Sequence, residues 1–252
     1  MSSTGPHRSC IVTGGAGAIG RACVLALARD GCDVTINHFG TPADAEAVAR
    51  EVAALGRKSL VAAADVSDEA AVAAMFARHE AMFGGIDVLI NNAGITRDED
   101  VFSTTLESWN RVLSVNLTGA FLCAREAMRR MAARRSGRII QMTSVVAHQG
   151  ALKGHAHYAA SKAGLVGLTK TLARTGAPLG ITVNAVAPGI VDTPMLSATH
   201  GEAGIARLME RVPLATLATP DDVAAAVVWL ASDGARHVTG AVIDVNGGML
   251  MR

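Results

Sequence analysis

Aromatic side chains are scarce: two Trp, one Tyr and five Phe amount to 3% of 252 residues. A core must therefore be built from Ala, Val, Leu, Ile and Met, whose small side chains suit close packing of helix on sheet. Charge is thin as well. Charged residues make up 18% of the chain and the net charge is +1, so the basic excess that a nucleic-acid binder needs is missing. The four cysteines, Cys10, Cys23, Cys32 and Cys123, have neither metal-ligand spacing nor the pattern of a disulfide framework. Each lies in an apolar stretch, where a free thiol behaves as a small hydrophobe, and no metal site is expected. No run approaches the roughly 18 apolar residues of a membrane span. Met1 to Arg8 are short and polar, without an apolar signal core, and residues 1–7 are expected to be flexible. These absences lead to the expectation of a cytoplasmic protein with no membrane or nucleic-acid partner.

What the chain does have is apolar residues, at 50%, which excludes disorder. They fall into short runs at Ser9–Thr13, Asp33–Asn37, Ser59–Ala63, Val88–Ile90, Arg138–Met142, Thr182–Ala185 and Ala241–Val245. Most are continuously apolar, as parallel strands covered on both faces should be. Helical patterns such as Asp44–Leu55, Asp68–Phe83 and Asp221–Ala231 lie between them. Thr219-Pro220-Asp221 is a helix start, with proline in the first turn and an acid at the positive pole. Strand–helix alternation without a break in composition predicts one α/β domain over residues 1–252. It is doubly wound and Rossmann-like, with a seven-stranded parallel sheet and helices on both faces.

The first strand runs into Gly14-Gly15-Ala16-Gly17-Ala18-Ile19-Gly20 and then a helix to about Ala28. Glycines let backbone approach a pyrophosphate, and the helix N-terminus offers free N–H groups to it. The strand before and the helix after supply the required context, and a plain flexible turn is the alternative. The end of the second strand should choose the cofactor: an acid there holds a ribose 2′-hydroxyl, whereas a cation accommodates a 2′-phosphate. Asn37-His38-Phe39-Gly40 offers no acid and no Arg or Lys. Absent repulsion permits a phosphate, and His38 or Thr41 could contact it. The lean is to NADP(H), with NAD(H) the alternative; His38 could equally be an exposed loop histidine.

Tyr158 and Lys162 stand four residues apart on one face of a helix that continues through Leu165, Leu168 and Leu172. A phenol with its free pKa near 10 is a poor acid–base catalyst. A fixed ammonium nearby should pull that pKa towards working pH. A surface pair of no consequence is the alternative. Several motifs occur together in order: Thr13-Gly14-x-x-x-Ala18-x-Gly20, Asp65-Val66, Asn91-Asn92-Ala93-Gly94, Asn116, Ser144, Tyr158-x-x-x-Lys162 and Pro188-Gly189. Carrying them from about Arg8 to Met251, the chain resembles the short-chain dehydrogenase/reductase family. Ala18 departs from the family's usual glycine.

The resemblance implies roles. Tyr158 would be the general acid in carbonyl reduction and the general base in alcohol oxidation. Lys162 would hold the nicotinamide ribose hydroxyls, and Ser144 would hydrogen-bond the substrate oxygen. Gly14, Gly17, Ala18, Ile19 and Gly20 would cradle the pyrophosphate, with Asn37 and His38 beside the adenosine ribose. Asp65 and Val66 would border the adenine, although Asp65 could instead cap the next helix. Asn92, Ala93 and Gly94 would let backbone pass close to the cofactor. Pro188, Gly189, Ile190 and Thr193 would flank the nicotinamide. Asn116 lies in the apolar face of a long helical pattern, Glu107–Arg135, with Trp109, Val112, Leu113, Ala120 and Ala124. The resemblance makes it a helix-perturbing residue that holds a water linking Lys162 to solvent; a structural asparagine at a kink is the alternative. The next stretch, Pro194–Val212, carries Gly201 and Gly204 and reads as a substrate lid. Lys153, His155 and His157 make the pocket mouth polar.

Within the family the chain is most similar to the 3-oxoacyl-carrier-protein reductases, through Asn91–Asp98, Gly137–Ile140, Ser144–Val146 and Val245–Met249. The implied substrate is an acyl thioester, with acyl carrier protein as partner. Arg125, Arg129, Arg130, Arg134, Arg135 and Arg138 could dock an acidic carrier or form a solvated helix face. Gly17 stands where such reductases often have arginine. A sugar, polyol or other secondary-alcohol dehydrogenase is the alternative substrate class, and a non-catalytic NAD(P)-binding sensor the alternative function class. The resemblance also implies a homotetramer, with the apolar Gly247–Met251 end in or near an interface.

Overall fold

All seven apolar runs are strands in the computed structural model, which describes residues 8–151 and 154–252, less the side chains of residues 195, 197–200, 202 and 203. They are β1 (Ser9–Val12), β2 (Asp33–His38), β3 (Ser59–Ala63), β4 (Val88–Asn91), β5 (Gly137–Met142), β6 (Ile181–Pro188) and β7 (Val242–Val245). Their order is β3-β2-β1-β4-β5-β6-β7 and every neighbouring pair is parallel. The helices are α1 (Ala18–Arg29), α2 (Pro42–Ala54), α3 (Glu69–Phe83), α4 (Leu106–Leu113), α5 (Gly119–Arg134), α6 (Val146–Gln149), α7 (Ala156–Gly176), α8 (Pro194–Met209) and α9 (Pro220–Ala231).

Successive strand residues serve two cores. Cys10, Val12, Val34, Ile36, Ile90 and Met142 face the layer of α1, α2 and α9. Ile11, Leu89, Ile139 and Val183 face α3 and α5. Both cores are aliphatic but for Phe76 in the second, as the scarcity of aromatics requires, and all four cysteines are buried as free thiols. Helix starts follow the sequence signals: Asp68 caps α3, and Thr219 and Asp222 form a reciprocal capping box ahead of α9 with Pro220 in its first turn. No helix among the described residues is long and apolar enough to cross a membrane.

The pattern read as one helix over Glu107–Arg135 is α4 and α5 joined by a π-helical turn, Ser114–Thr118, that contains Asn116. Asn116 is buried and spends its amide on the loop after β4 rather than on its own helix, and the ladder widens around it. The lid segment is helical as α8, interrupted at Gly201, where φ is +57° and ψ is 176°.

Parallel order reverses between β1 and β4: β2 and β3 extend to one side, β5 to β7 to the other. A crevice opens at the carboxyl ends of strands on either side of such a switch, and the chemistry-bearing motifs sit there.

Candidate active site

The glycine turn is built by close approach. At Gly20 a Cβ would stand 2.1 Å from the Gly14 carbonyl oxygen, and at Gly14, with φ +61°, it would stand 3.0 Å from Ala93 Cα. Only glycine permits either contact. Thr13 Oγ1 accepts the backbone N–H groups of Asn92 and Ala93, both at 3.0 Å. Asn92 Nδ2 returns hydrogen bonds to the carbonyls of Thr13 and Gly14 at 2.9 and 3.1 Å. These bonds lock the two strand ends across the switch point. Thr13 lay inside the motif but was not singled out; the signal was its place at the strand end, where a hydroxyl can accept from the neighbouring strand.

Helix α1 begins at this turn with Gly17 as its N-cap, no side-chain cap and no acid in its first turn. The N–H groups of Ala18, Ile19 and Gly20 belong to its first turn, which has no intrahelical acceptor and no acid to neutralise the positive pole. That bare pole and the Cβ-free cradle fit a dinucleotide's pyrophosphate. Asn37 turns out to be structural support. Its Oδ1 accepts the Gly14 N–H at 3.2 Å, and its Nδ2 donates to the carbonyls of Ala62 and Ala64 at 3.2 and 3.0 Å. His38 is buried rather than a loop histidine, with an Nδ1 that has no hydrogen-bond partner among the described residues.

Asp65 does not cap the helix that follows; Asp68 does. Asp65 accepts from Ser67 N and Oγ at 2.9 and 2.6 Å and from Arg111 of α4 at 3.1 Å. Burial pushes its pKa up, but these hydrogen bonds outweigh it and hold the carboxyl below its ordinary value. Arg111 had no sequence signal, because the contact joins α4 to the end of β3. Val66 packs so tightly on Gly119 that a Cβ there would approach its Cγ2 to 2.7 Å. Across the sheet, the Gly189 N–H donates to the Val245 carbonyl at 2.9 Å, just beyond Pro188, and the Ile190 carbonyl accepts from Ala218 at 3.1 Å. Thr193 caps α8 through Leu196 N.

Asn116 and Lys162 meet at Gly94, and Tyr158 and then Ser144 adjoin Lys162. A Cβ at Gly94 would lie 3.3 Å from Asn116 Oδ1 and 3.4 Å from Lys162 Nζ. Asn116 clasps Ile95 through both its N–H and its carbonyl, at 2.8 and 2.9 Å, and donates to Ser161 Oγ at 3.0 Å. Ser144 follows β5 and lies close enough to the Tyr158 phenol to lower its pKa. Lys162 is buried, donates to the Met142 carbonyl at 2.7 Å and lies 5.5 Å from the centroid of the Tyr158 ring.

Both pKa values follow from burial. Loss of solvent lowers that of Lys162 from its ordinary 10.5 to about 8. Burial raises that of Tyr158, against a smaller lowering by the nearby Ser144 hydroxyl. The expectation that the lysine lowers the phenol pKa is thus reversed here. The ammonium is directed at a backbone carbonyl, and desolvation dominates the phenol.

His155 and His157 flank the site, while Lys153 lies outside the described residues. The arginine run is not a free cationic face. Arg125 pairs with Glu69, Arg129 and Arg130 with Glu126, Arg134 with Asp87 and Arg138 with Asp233, while Arg135 donates to the Pro178 carbonyl.

A family model described as Enoyl-(Acyl carrier protein) reductase matches residues 14–250. The 3-oxoacyl-(acyl-carrier-protein) reductase FabG of Staphylococcus aureus is 43% identical over 244 residues, covering 97% of this chain and 98% of that protein. The 3-oxoacyl-(acyl-carrier-protein) reductase of a Synechocystis strain is 40% identical, with 96% of each chain covered. Nodulation protein G of Azospirillum brasilense is 41% identical over 96% of this chain and 98% of its own. With the parallel sheet, the switch-point crevice and these full-length matches together, the chain belongs to the short-chain dehydrogenase/reductase family and is an NAD(P)-dependent oxidoreductase.

Proposed function

We propose that the protein reduces the 3-oxo group of an acyl thioester to a secondary alcohol, with acyl carrier protein as the thioester's carrier. The observation that carries the chemistry is the Tyr158 phenol with Ser144 close enough to lower its pKa and the buried Lys162 Nζ 5.5 Å from its ring centroid. The substrate class rests on the full-length relatives named as 3-oxoacyl reductases. The ion-paired arginine run does not itself argue for carrier docking, so the reading does not depend on it.

Gly14, Gly17, Ala18, Ile19 and Gly20 would hold the pyrophosphate, and Asn92, Ala93 and Gly94 would line its path to the nicotinamide. Val66 and Asp65 would border the adenine, and Pro188, Gly189, Ile190 and Thr193 the nicotinamide. The bound nicotinamide supplies hydride to the substrate carbon. Ser144 Oγ holds the ketone oxygen, and Tyr158 Oη delivers its proton to that oxygen as charge develops there. A phenol whose pKa is raised keeps its proton at neutral pH, which suits an acid. Lys162 would orient the ribose hydroxyls, and Asn116, by fixing Ile95, holds the loop that carries Gly94 beside Lys162. α8 would close over the substrate, with Gly201 as its break. One domain does all of this. A homotetramer belongs to the same reading, supported by the apolar carboxyl end, where Met251 is 79% exposed.

The test is initial rates with NADPH on acetoacetyl, crotonyl and aldose substrates. Acetoacetyl thioester should be preferred about tenfold or more by kcat/KM. A preference for the crotonyl thioester would make the protein an enoyl reductase, and a preference for aldoses would move it to the sugar dehydrogenases.

NADPH is the proposed cofactor. β2 ends on His38 with no acid that would repel a 2′-phosphate. His38→Asp should move the ratio of Kd values for NADPH and NADH towards NADH by about tenfold or more, since a carboxylate repels the phosphate and accepts from the ribose hydroxyl. Tighter binding of NADH than NADPH by the unaltered protein overturns this preference.

A further inference from the structure

We infer that Glu99 and His157 are positioning residues that couple the loop after β4 to the backbone of Tyr158; the inference rests on the role given to Tyr158 above. His157 immediately precedes Tyr158 in the first turn of α7 and is fully buried. Its Nδ1 accepts the Tyr158 backbone N–H at 2.8 Å, so the ring proton lies on Nε2. That matters because His155, the N-cap of α7, makes no side-chain cap. The N–H of Tyr158 is one of the orphan donors of a helix start, and His157 satisfies it.

The other side of the ring faces a carboxylate. Nε2 is buried with no hydrogen-bond partner among the described residues and stands 3.5 Å from Glu99 Oε2, just beyond the ordinary N–H···O range. A donor left unpaired beside an anion is a contact poised to shorten, as bonds around a reaction centre commonly do when substrate binds. Glu99 is held for this. Ser108 Oγ donates to the same Oε2 at 2.6 Å, and Arg97 lies 3.9 Å from Oε1. The Glu99 carbonyl accepts the His155 N–H at 2.9 Å. The backbone at Gly154 runs so near that a Cβ there would stand 2.7 Å from that carbonyl. Thr96 Oγ1 meets His155 Nδ1 at 3.0 Å, and Asp98 lies 3.6 Å from His155 Nε2.

These contacts make one strap. It starts at Asn92–Gly94, is pinned at Ile95 by Asn116 and ends on the first turn of α7 through Glu99. A shift of the loop on nucleotide binding is thereby delivered to the backbone that carries the phenol. Neither Glu99 nor His157 touches the reacting atoms; both act through Tyr158.

The test uses the full chain with His157→Leu, His157→Asn, His157→Gln and Glu99→Leu. Asn keeps an acceptor for the Tyr158 N–H but is too short to reach Glu99; Gln reaches Glu99 but withdraws that acceptor. His157→Leu should lower kcat about tenfold or more, with NADPH Kd and substrate KM within about threefold. His157→Asn should recover much of the loss and match Glu99→Leu, since each removes the same link; His157→Gln should recover less. Tyr158 is the only tyrosine, so near-ultraviolet titration reads its phenol directly, and its midpoint should move in His157→Leu. Unchanged kcat and unchanged midpoint in His157→Leu overturn the inference. So does a uniform loss of kcat, nucleotide binding and thermal midpoint in all three His157 variants, which marks mere core packing. Tyr158→Phe, assayed alongside, separates the two claims. If it retains turnover the role of Tyr158 falls, whereas if it is inactive and the His157 variants are silent, only the strap falls.

Discussion

Tyr158→Phe should abolish turnover while leaving nucleotide binding within about threefold of the unaltered protein. The substitution removes one oxygen from a ring that keeps its volume and its place in α7. What disappears is the proton donor and its polar contact with Ser144. General acid–base groups contribute about a hundred- to ten-thousand-fold, and the loss should fall in that range. The fold should lose only about 1 kcal/mol, the worth of one hydrogen bond. Because burial raises the phenol pKa, direction and pH are linked. Ketone reduction, which needs the phenol protonated, should hold its rate across neutral pH. Alcohol oxidation, which needs phenolate, should climb with pH and still be climbing near the free-phenol value. Initial rates in both directions check this, and residual reduction above about a tenth of the unaltered rate removes Tyr158 from its role.

The fold was legible because continuous apolar runs have one common cause, a parallel sheet buried on both faces, and each run named from sequence is a strand. Ser144, Tyr158, Lys162 and Asn116 were legible as candidates from their motifs. What was not legible falls into two kinds. Periodicity measures apolar faces and is blind to hydrogen-bond register, so the π-helical turn at Ser114–Thr118 passed as ordinary helix. Contacts between distant segments leave no local trace: Arg111 on Asp65, the Met142 carbonyl on Lys162 and Glu99 beside His157 all depend on how elements dock. The sign of the Tyr158 shift belongs with these. Spacing shows a lysine near a phenol, but only burial shows that desolvation outweighs its charge.

Lys162→Met should give a protein that is more stable and no longer turns over. Burial lowers the pKa of Lys162 from 10.5 to about 8, so below pH 8 the fold carries an ammonium that the unfolded chain solvates better. At about 1.4 kcal/mol per pH unit that penalty is about 3 kcal/mol. Methionine fills the space without charge. It gives up the hydrogen bond to the Met142 carbonyl, worth about 1 kcal/mol, for a net gain of about 2 kcal/mol and a rise of about 5 °C in Tm at pH 7. The pH dependence identifies the cause. Between 8 and 10.5 the unfolded chain binds the lysine proton more tightly than the fold does, so this part of the stability rises with pH. The advantage of Lys162→Met should therefore shrink above pH 8. The comparison between variants is essential, because the buried thiols of Cys23 and Cys123, pushed up to about 12, lower the stability of both proteins above pH 9. Turnover should fall about a hundredfold or more with the loss of the group that holds the ribose hydroxyls. A destabilised Lys162→Met, or an advantage that does not change between pH 8 and 10, would show that the ammonium is not held at a cost. An advantage that appears and shrinks above pH 8 marks a group kept in the core against its own solvation, and the reaction is what explains keeping it.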